Sequence, residues 1–417
     1  MTPTASANTG GAVDGLACEL AAVLNIMRRQ EVGTRAVIAR ETGYGRAVVA
    51  ERVDELVERG LVTDSDTAPS TGGRPSRQIR FCADAGHVLV ADLGATSIDV
   101  AVSDLGGKIV AHRAEEADIA TGPEVILGRV DALFDELCGE TFPLPGQLRG
   151  IAIAVPGPVE FSSGRPTSPP IMPGWDGYPV RDRFSGRHGV PDWVDNDVNE
   201  IGLGERHDGV ARGHQNVIFI KIGSGIGAGL ISAGRLHRGA DGSSGDVGHI
   251  QVMSGPDIIC RCGRIGCLEA VAGGAALGRD GERATVAGQS LILARLLAER
   301  GWIITKDIVE AAAYGDRVSR DLVQRAGRFI GQMVATVVKF FDPSLIVIGG
   351  GVAGVGGLLL AAVRQAIYNR SLPLATRNLV IQRSALESWG GIVGAANMVL
   401  DEVFTPGGPG LRPDLSV

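Results

Sequence analysis

Apolar residues recur at helical spacing from Leu16 to Arg29, with Leu16, Leu20, Val23, Leu24 and Met27 on one face. Thr34 is placed to cap a second, short helix over TRAVIARET, which Gly43 ends. A third helix from Arg46 to Arg59 carries Val49, Val53, Leu56 and Val57 as its stripe and stops at Gly60. The polar stretch DSDTAPSTGGRPSR then separates Leu61, Val62 and Thr63 from the apolar pair Ile79 and Phe81. Three short helices and a two-stranded ribbon predict a winged helix-turn-helix over residues 16–82. The small polar residues 1–15 before it predict a disordered arm.

The pattern changes at Gly86. HVLVADLGATSIDVAVSDLGGKIVAHR alternates as strands do and turns at glycines. Helical spacing returns over 123–138, and GIAIAVPG at 150–157 reads as a buried strand. Residues 158–192, rich in Pro, Gly and Ser, predict loop. NVIFIKIGSGIGAGLISAGRLHRG, 216–239, repeats the strand–glycine turn–strand scheme. A long helix is expected over 319–341, and SLIVIGGGVAG is a strand entering a glycine turn. The units near 88–103 and 217–231 form a weak internal duplication, which predicts two similar α/β lobes with a cleft between them. These occupy residues 83–400, and 401–417, ending TPGGPGLRPDLSV, read as a flexible tail.

Composition narrows the class. Glycine accounts for 61 of 417 residues, roughly twice average usage, with no collagen period. A content of 44% hydrophobic and 21% charged residues excludes global disorder. No apolar run reaches the length of about 18 that spans a bilayer, and no signal peptide is evident, so a cytoplasmic protein without membrane contact is expected. The net charge of −7 argues against a globally basic nucleic-acid binder. Its distribution argues otherwise for the N-terminal part, where Arg28, Arg29, Arg35, Arg40 and Arg46 cluster, and Arg74, Arg77 and Arg80 follow in and after the ribbon's turn.

Four features carry candidate chemistry. Gly43, Tyr44 and Gly45 lead to Arg46 at the start of the third helix, and Arg35, Arg74 and Arg77 supply further cations for phosphate or minor groove. The other reading is a three-helix protein-binding module. Two glycine turns, DLGAT at 92–96 and IGSGIGAG at 222–229, are able to point backbone N–H groups at phosphate: Gly94, Gly223, Gly225 and Gly227 permit close approach, Thr96 and Ser224 add hydroxyls, and Asp92 suits hydrated magnesium. Gly349, Gly350 and Gly351 form a third turn, suited to flank an adenine. Each alone is equally a hairpin turn; together they favour a nucleotide cleft. His249, Cys260, Cys262 and Cys267 complete a tetrahedral zinc shell with no position left for water, so the metal is structural. Asn196 and Asp197 follow an apolar-ended segment; such a carboxylate accepts a hydroxyl proton, or else Asp197 caps a helix in an Asx turn. Asp246 and Glu269 are carboxylates that the metal loop is placed to orient towards a polyol.

GDVGHIQV…CRCGRIGCLE resembles, almost residue for residue, the zinc signature of the ROK family (repressor, open reading frame, kinase), and the resemblance covers about 16–400. It implies a two-lobed, actin-like ATPase fold behind the winged helix, zinc on His249, Cys260, Cys262 and Cys267, and a sugar on Asn196, Asp197, Asp246, His249 and Glu269. Asp197 is then the base for a sugar hydroxyl, and the three glycine turns are ATP sites. Ala95 and Ser97 stand where the family's kinases have a glycine and a lysine, Asp246 replaces the usual Glu, and Gly45 a frequent serine. The resulting expectation is a repressor of carbohydrate genes, answering to a sugar or sugar phosphate and binding double-stranded operator DNA as a dimer or tetramer. The alternative is an ATP-dependent, glucokinase-like sugar kinase.

Overall fold

The computed structural model describes residues 15–65, 77–141, 148–255, 258–353 and 357–411. Three helices, α1 (Gly15–Gln30), α2 (Arg35–Thr42) and α3 (Arg46–Glu58), open the chain. Strands β1 (Val32–Gly33), β2 (Val62–Ser65) and β3 (Gln78–Phe81) form an antiparallel sheet in the order β1-β3-β2, one strand more than the ribbon read from sequence. The hydroxyl of Thr34 accepts from the amide of Val37 at 3.3 Å, and Gly43 closes α2 in the left-handed region at φ 74°. Gly45 precedes α3 without a side-chain cap.

Two five-stranded sheets built on one plan make up the body. In the first, β4 (His87–Leu93), β5 (Ser97–Asp104) and β6 (Ile109–Glu116) form an antiparallel meander. After α4 (Pro123–Thr141) come β7 (Leu148–Val155), a small hairpin of β8 (Val159–Glu160) and β9 (Arg165–Pro166), α5 (Val180–His188) and β10 (Asp192–Asn196). Strand β7 adds in parallel beside β4, and β10 beside β7. Helix α6 (Asp197–His207) leads to the second sheet, whose meander is β11 (Val217–Ile222), β12 (Ile226–Ser232) and β13 (Arg235–Leu236). Four helices follow: α7 (Leu268–Ala272), α8 (Gly274–Val286), α9 (Leu291–Arg300) and α10 (Thr305–Ala313). Then come α11 (Arg317–Phe341), β14 (Leu345–Gly349), α12 (Gly357–Arg370), α13 (Pro373–Thr376), β15 (Val380–Arg383) and α14 (Gly390–Val403), with β14 parallel beside β11 and β15 parallel beside β14. The β4–β5 and β11–β12 hairpins, which the sequence pairs as a duplication, hold the same place in the two sheets.

The two central helices exchange sheets. Helix α6 leaves the first sheet but packs on β11 and β12, while α14 leaves the second and packs on β4 and β7. Between the sheets they lie backbone to backbone: a Cβ on Gly394 would strike the carbonyl of Glu200, and one on Gly204 the carbonyl of Gly390. Outside, Phe134 of α4 and Phe184 of α5 seal the first sheet, and the apolar stripe of α11 with α12 seals the second. Helix α1 joins the central core, where the guanidinium of Arg28 lies 5.3 Å from the ring centroid of Phe404.

Two expectations are corrected. Residues 158–192 hold a hairpin and a helix, because their glycines and prolines make tight turns, as at Gly164 with φ 66°, and Trp175 anchors the segment in the core by donating to the carbonyl of Ile119 at 3.2 Å. The tail is likewise ordered as far as 411: α14 runs to Val403, and the turn Pro409–Leu411 tucks Leu411 into the core beside α1. Residues 412–417 and the arm before Gly15 lie outside the described residues. In α8, Gly274, Gly278 and Gly281 dilute the apolar periodicity, whereas α9 and α10 hold no glycine and the sequence reading passed over them, although Ser290 caps α9 and Gly301 ends it.

The helix contact yields a paired prediction. Gly394→Ala inserts a methyl group into backbone and should cost about 1–3 kcal/mol or more. Gly186→Ala, in α5 with open space around it, should be neutral or stabilise by about 0.5–1 kcal/mol. Denaturant unfolding of both variants checks this; equal effects would mean the helices are not held at that distance.

Candidate functional site

Strand β10 delivers Asn196 and Asp197 to the edge of the cleft. The side-chain oxygen of Asn196 accepts from the amide of Val198 at 3.0 Å, capping α6, and its own amide donates to the carbonyl of Gly157 at 2.9 Å. The capping role read for Asp197 therefore belongs to Asn196, because the strand ends one residue earlier. Asp197 opens the helix, is buried, and receives an ion pair from the ammonium of Lys221 on β11. Burial works against that ammonium, but Asp197 and Asp92 outweigh it and hold Lys221 above its ordinary pKa.

The sequence reading passed over Lys221. The signal was available: one of only four lysines stands inside the apolar strand VIFIKI. Around it gathers an acidic group that burial perturbs. Asp92 lies against Gly391 in the first turn of α14, where any Cβ would collide with the carboxylate. Burial pushes Asp92 up to about 7, opposed by Lys221 and reinforced by Asp197 and Asp99. Glu200, on α6, has neither carboxylate oxygen hydrogen-bonded among the described residues; burial, then Asp195, hold it well above the carboxylate range. Asp195 is engaged by Arg238 at 2.6 Å.

The glycine turns bring protein to protein at several points. A Cβ on Gly225 would strike the carboxylate of Glu269, which accepts from the amide of Ile226 at 3.2 Å. Gly227 makes room for the side chain of Val198, and Gly350, at φ 90°, rests on the carbonyl of Ile222. The amide of Gly223 is spent on the carbonyl of Gly225 at 2.9 Å. Ala95 faces the cleft, whereas Asp92, Gly94, Thr96 and Gly349 to Gly351 flank it without lining it.

The His/Cys cluster is formed by a loop low in regular structure. His249 ends a 3-10 turn led by Asp246, and Cys267 immediately precedes α7, which carries Glu269. The ligand atoms of His249, Cys260, Cys262 and Cys267 all lie within 4.8 Å of one another. Cys262 Sγ is 3.7 Å from Cys267 Sγ, and Cys260 Sγ is 3.5 Å from His249 Nδ1. Those are the edges of a tetrahedron built on metal–sulfur bonds of about 2.3 Å and metal–nitrogen bonds of about 2.0–2.1 Å. Burial and the neighbouring thiols raise Cys267 to about 12, and burial raises Cys260; Cys262 is lowered, because hydrogen bonds from the Arg264 backbone and the adjacent thiols outweigh its burial. Crowded thiols of this kind need a cation to ionise together, so the group is able to bind a metal. His249 Nε2 is left facing Asp246, 4.0 Å away.

These elements enclose a cavity of about 150 Å³, which Asn196, Asp197, Asp246, His249 and Glu269 line together with Lys221 and the turn Gly223 to Gly227. All five residues read as polyol ligands thus converge, held by β10, the start of α6, the 3-10 turn at His249 and α7. At the N-terminal unit, Arg46 is exposed at the start of α3 with no ion pair among the described residues. Arg35 bonds Asp54 at 2.8 Å and Asp64 at 3.4 Å, and Arg77 bonds Asp64 at 3.3 Å. Tyr44 is half-buried against the core, and Arg74 lies outside the described residues.

Known proteins resemble this chain over most of its length. The model of the ROK family matches residues 88–402. A xylose repressor of Caldicellulosiruptor bescii is 28% identical over 92% of this chain and 95% of its own length. The crystal structure of a ROK family transcriptional regulator, a homologue of the Escherichia coli MLC protein, superposes with a TM-score of 0.80 at 25% identity, covering 94% of this chain and 97% of that one. A ROK family glucokinase from Streptomyces griseus, solved with glucose and AMPPNP, covers 75% of this chain and 99% of its own at 30% identity, with a TM-score of 0.66. The glucokinase match spans a share of the chain close to that of the family model, while the two regulators match nearly all of it.

The raised carboxyl of Asp92 sets a pH dependence. Its folded pKa of about 7 exceeds the ordinary carboxylate value, so the folded state holds more protons between about 4 and 7 and loses stability as pH rises through that window. Asp192, also pushed up to about 7 by burial, shares the window. Asp92→Asn should flatten the fall in Tm between pH 5 and pH 8 without abolishing it; an unchanged slope would mean that Asp92 is not the buried proton carrier.

Proposed function

Because the chain belongs to the ROK family, we propose that it is a sugar-responsive DNA-binding regulator, a repressor of carbohydrate-metabolism genes. The observation that carries this reading is the joining of the three-helix unit to the two-sheet body through one continuous core, with α1 against the end of α14. Residues 16–82 serve as the winged helix and 83–400 as the sugar-sensing body. Arg46 at the start of α3 reaches operator DNA, and Arg77 with Arg74 contacts phosphate beside it. Arg35 contributes by bracing α2 against α3 and β2. One such unit reads a half-site, so the working form is a dimer or tetramer, in the cytoplasm.

The sugar lies in the cleft between Asp197, Asp246, His249 and Glu269, with Asn196 fixing the turn that presents Asp197. Zinc suits the His249, Cys260, Cys262 and Cys267 shell and takes all four positions, so it contributes order rather than catalysis. It holds His249 and, through Cys267, the helix bearing Glu269. A sugar that fits the closed cleft better than the open one shifts the population, and α6 and α14 run from that cleft towards α1.

The kinase reading draws on Asp197 and on the glucokinase similarity. Two features weigh against it. The ammonium of Lys221 competes with a sugar hydroxyl for the carboxylate of Asp197. Ala95 puts a methyl group at the cleft wall where the family's kinases have glycine. Any ATP and magnesium would be held between Asp92, Gly94 and Thr96, the turn at Gly223 to Gly227, and Gly349 to Gly351, and the charge they supply would assist phosphoryl transfer.

Three outcomes are expected. The protein should bind a fragment from upstream of its own or a neighbouring gene with strong salt dependence, and Arg46→Ala should weaken binding about tenfold or more, read by fluorescence anisotropy; no specific binding to any such fragment would sink the regulator reading. Some sugar should raise Tm and change that affinity, and Cys262→Ser should lose the one equivalent of zinc together with the sugar response, read by metal analysis and thermal shift. ADP release with a sugar panel should be absent; turnover abolished by Asp197→Asn would establish the kinase instead.

A further inference from the structure

A second cavity, of about 920 Å³, lies where α1 meets the body. Six arginines face it from four parts of the fold: Arg28 and Arg29 at the end of α1, Arg206 at the end of α6, Arg212 from the loop that follows, and Arg235 and Arg238 from β13 and just after it. The carboxylates on its wall are Asp208, Asp401 and Glu402. Arg28 bonds Asp401 at 3.4 Å, and Arg238 is taken by Asp195. Arg29, Arg206, Arg212 and Arg235 have no ion pair among the described residues. Buried nitrogens Nε of Arg28 and Nε of Arg206 have no hydrogen-bond partner there. Burial raises the carboxyl of Glu402, which weakens it as a counter-charge.

Arginines in the last turns of α1 and α6 are partly explained by the negative ends of those helices. That account does not reach Arg212 and Arg235, which come from a loop and a hairpin and open onto the same space. Guanidinium groups arranged in this way, exposed at the rim (Arg29, Arg212, Arg235) and half-buried deeper (Arg28, Arg206, Arg238), suit the oxygens of a phosphate group, which each can bind in a two-pronged fashion. The volume accommodates a small metabolite.

We infer that this cavity is a second ligand site, for a small phosphorylated metabolite, distinct from the sugar cleft. An anion held at once by Arg29 of α1, Arg206 of α6 and Arg235 of β13 fastens the N-terminal unit to the body. Any consequence for DNA affinity rests on the regulator reading; binding itself does not.

The test uses the full-length chain and inorganic pyrophosphate, titrated by calorimetry at constant ionic strength. Saturable binding is expected, weakened at least tenfold in the double variant Arg206→Gln with Arg235→Gln and severalfold in Arg212→Gln, whose exposed side chain is not needed for folding. Pyrophosphate should also slow amide exchange in α1 and at the end of α14. Asp197→Asn, in the other cleft, should leave pyrophosphate binding unchanged. Absence of saturable heat, equal binding by all the arginine variants, or protection confined to the sugar cleft would overturn the proposal. So would variants that lose DNA affinity while the parent protein binds no pyrophosphate, an outcome that assigns the arginines to the DNA backbone. Pyrophosphate binding without any DNA target would leave this site standing and remove the regulator reading alone.

Discussion

Helices α6 and α14 approach so closely that backbone atoms are in contact, and only glycine at 204 and 394 leaves room for them, while Gly390 makes room for the side chain of Ile201. Interiors pack as densely as organic crystals, so a gap or a bulge at that crossing propagates rather than being absorbed. Each helix rests on the sheet it did not leave, and the crossing therefore ties the two sheets together. The N-terminus of α6 sets Asn196 and Asp197 in the cleft, and the first turn of α14 receives Asp92. Their far ends reach Arg206 and Asp401 beside α1. The spacing of one helix pair thus fixes the separation of the lobes, the floor of the cleft and the seat of the N-terminal unit.

The charge distribution in the cleft departs from what phosphoryl transfer to a sugar hydroxyl needs. A general base must be free to meet the hydroxyl, yet the ammonium of Lys221 lies on Asp197 and is attracted by Asp92 as well. The ammonium supplies a single positive charge beside Asp197. Buried carboxyls nearby, Asp92 and Glu200, are pushed towards their protonated forms, which limits the net negative charge the site must carry. On the regulator reading, such a site holds a polyol through hydrogen bonds without activating it.

Much of the fold was legible because its signals are local. The Thr34 cap, the left-handed Gly43 and the stripe Val49, Val53, Leu56 are properties of a few adjacent residues, and they recur as read, except that Val57, read into the same stripe, is exposed. The duplication was visible for the same reason, since both hairpins alternate and turn at glycines. The cysteine spacing pointed directly to the His/Cys group that the fold gathers, a group able to bind a metal. Illegible were features made by contact across the chain. Nothing local distinguishes Gly394, which meets Glu200 nearly two hundred positions away, from a glycine in a turn. Lys221 gains its meaning only when β11 brings it to Asp197, and the ion pairs of Arg35 only when α3 and β2 fold over it. The segment 268–313 holds four helices that the sequence reading passed over.

Fourteen residues make α14 about 21 Å long, and its glycine contact with α6 near Gly394 sits well inside that length. A rigid rod pivoting at an interior point works as a lever, and a tilt of about 3° displaces one end against the other by roughly 1 Å. At one end lies Asp92 and at the other Asp401 and Phe404, on which Arg28 of α1 rests. An ångström is the difference between a made and a broken hydrogen bond. On the regulator reading, the lobes then need no large swing for an event in the cleft to be felt at the N-terminal unit, and any substitution that lets the pivot slip would uncouple the two ends while leaving each intact.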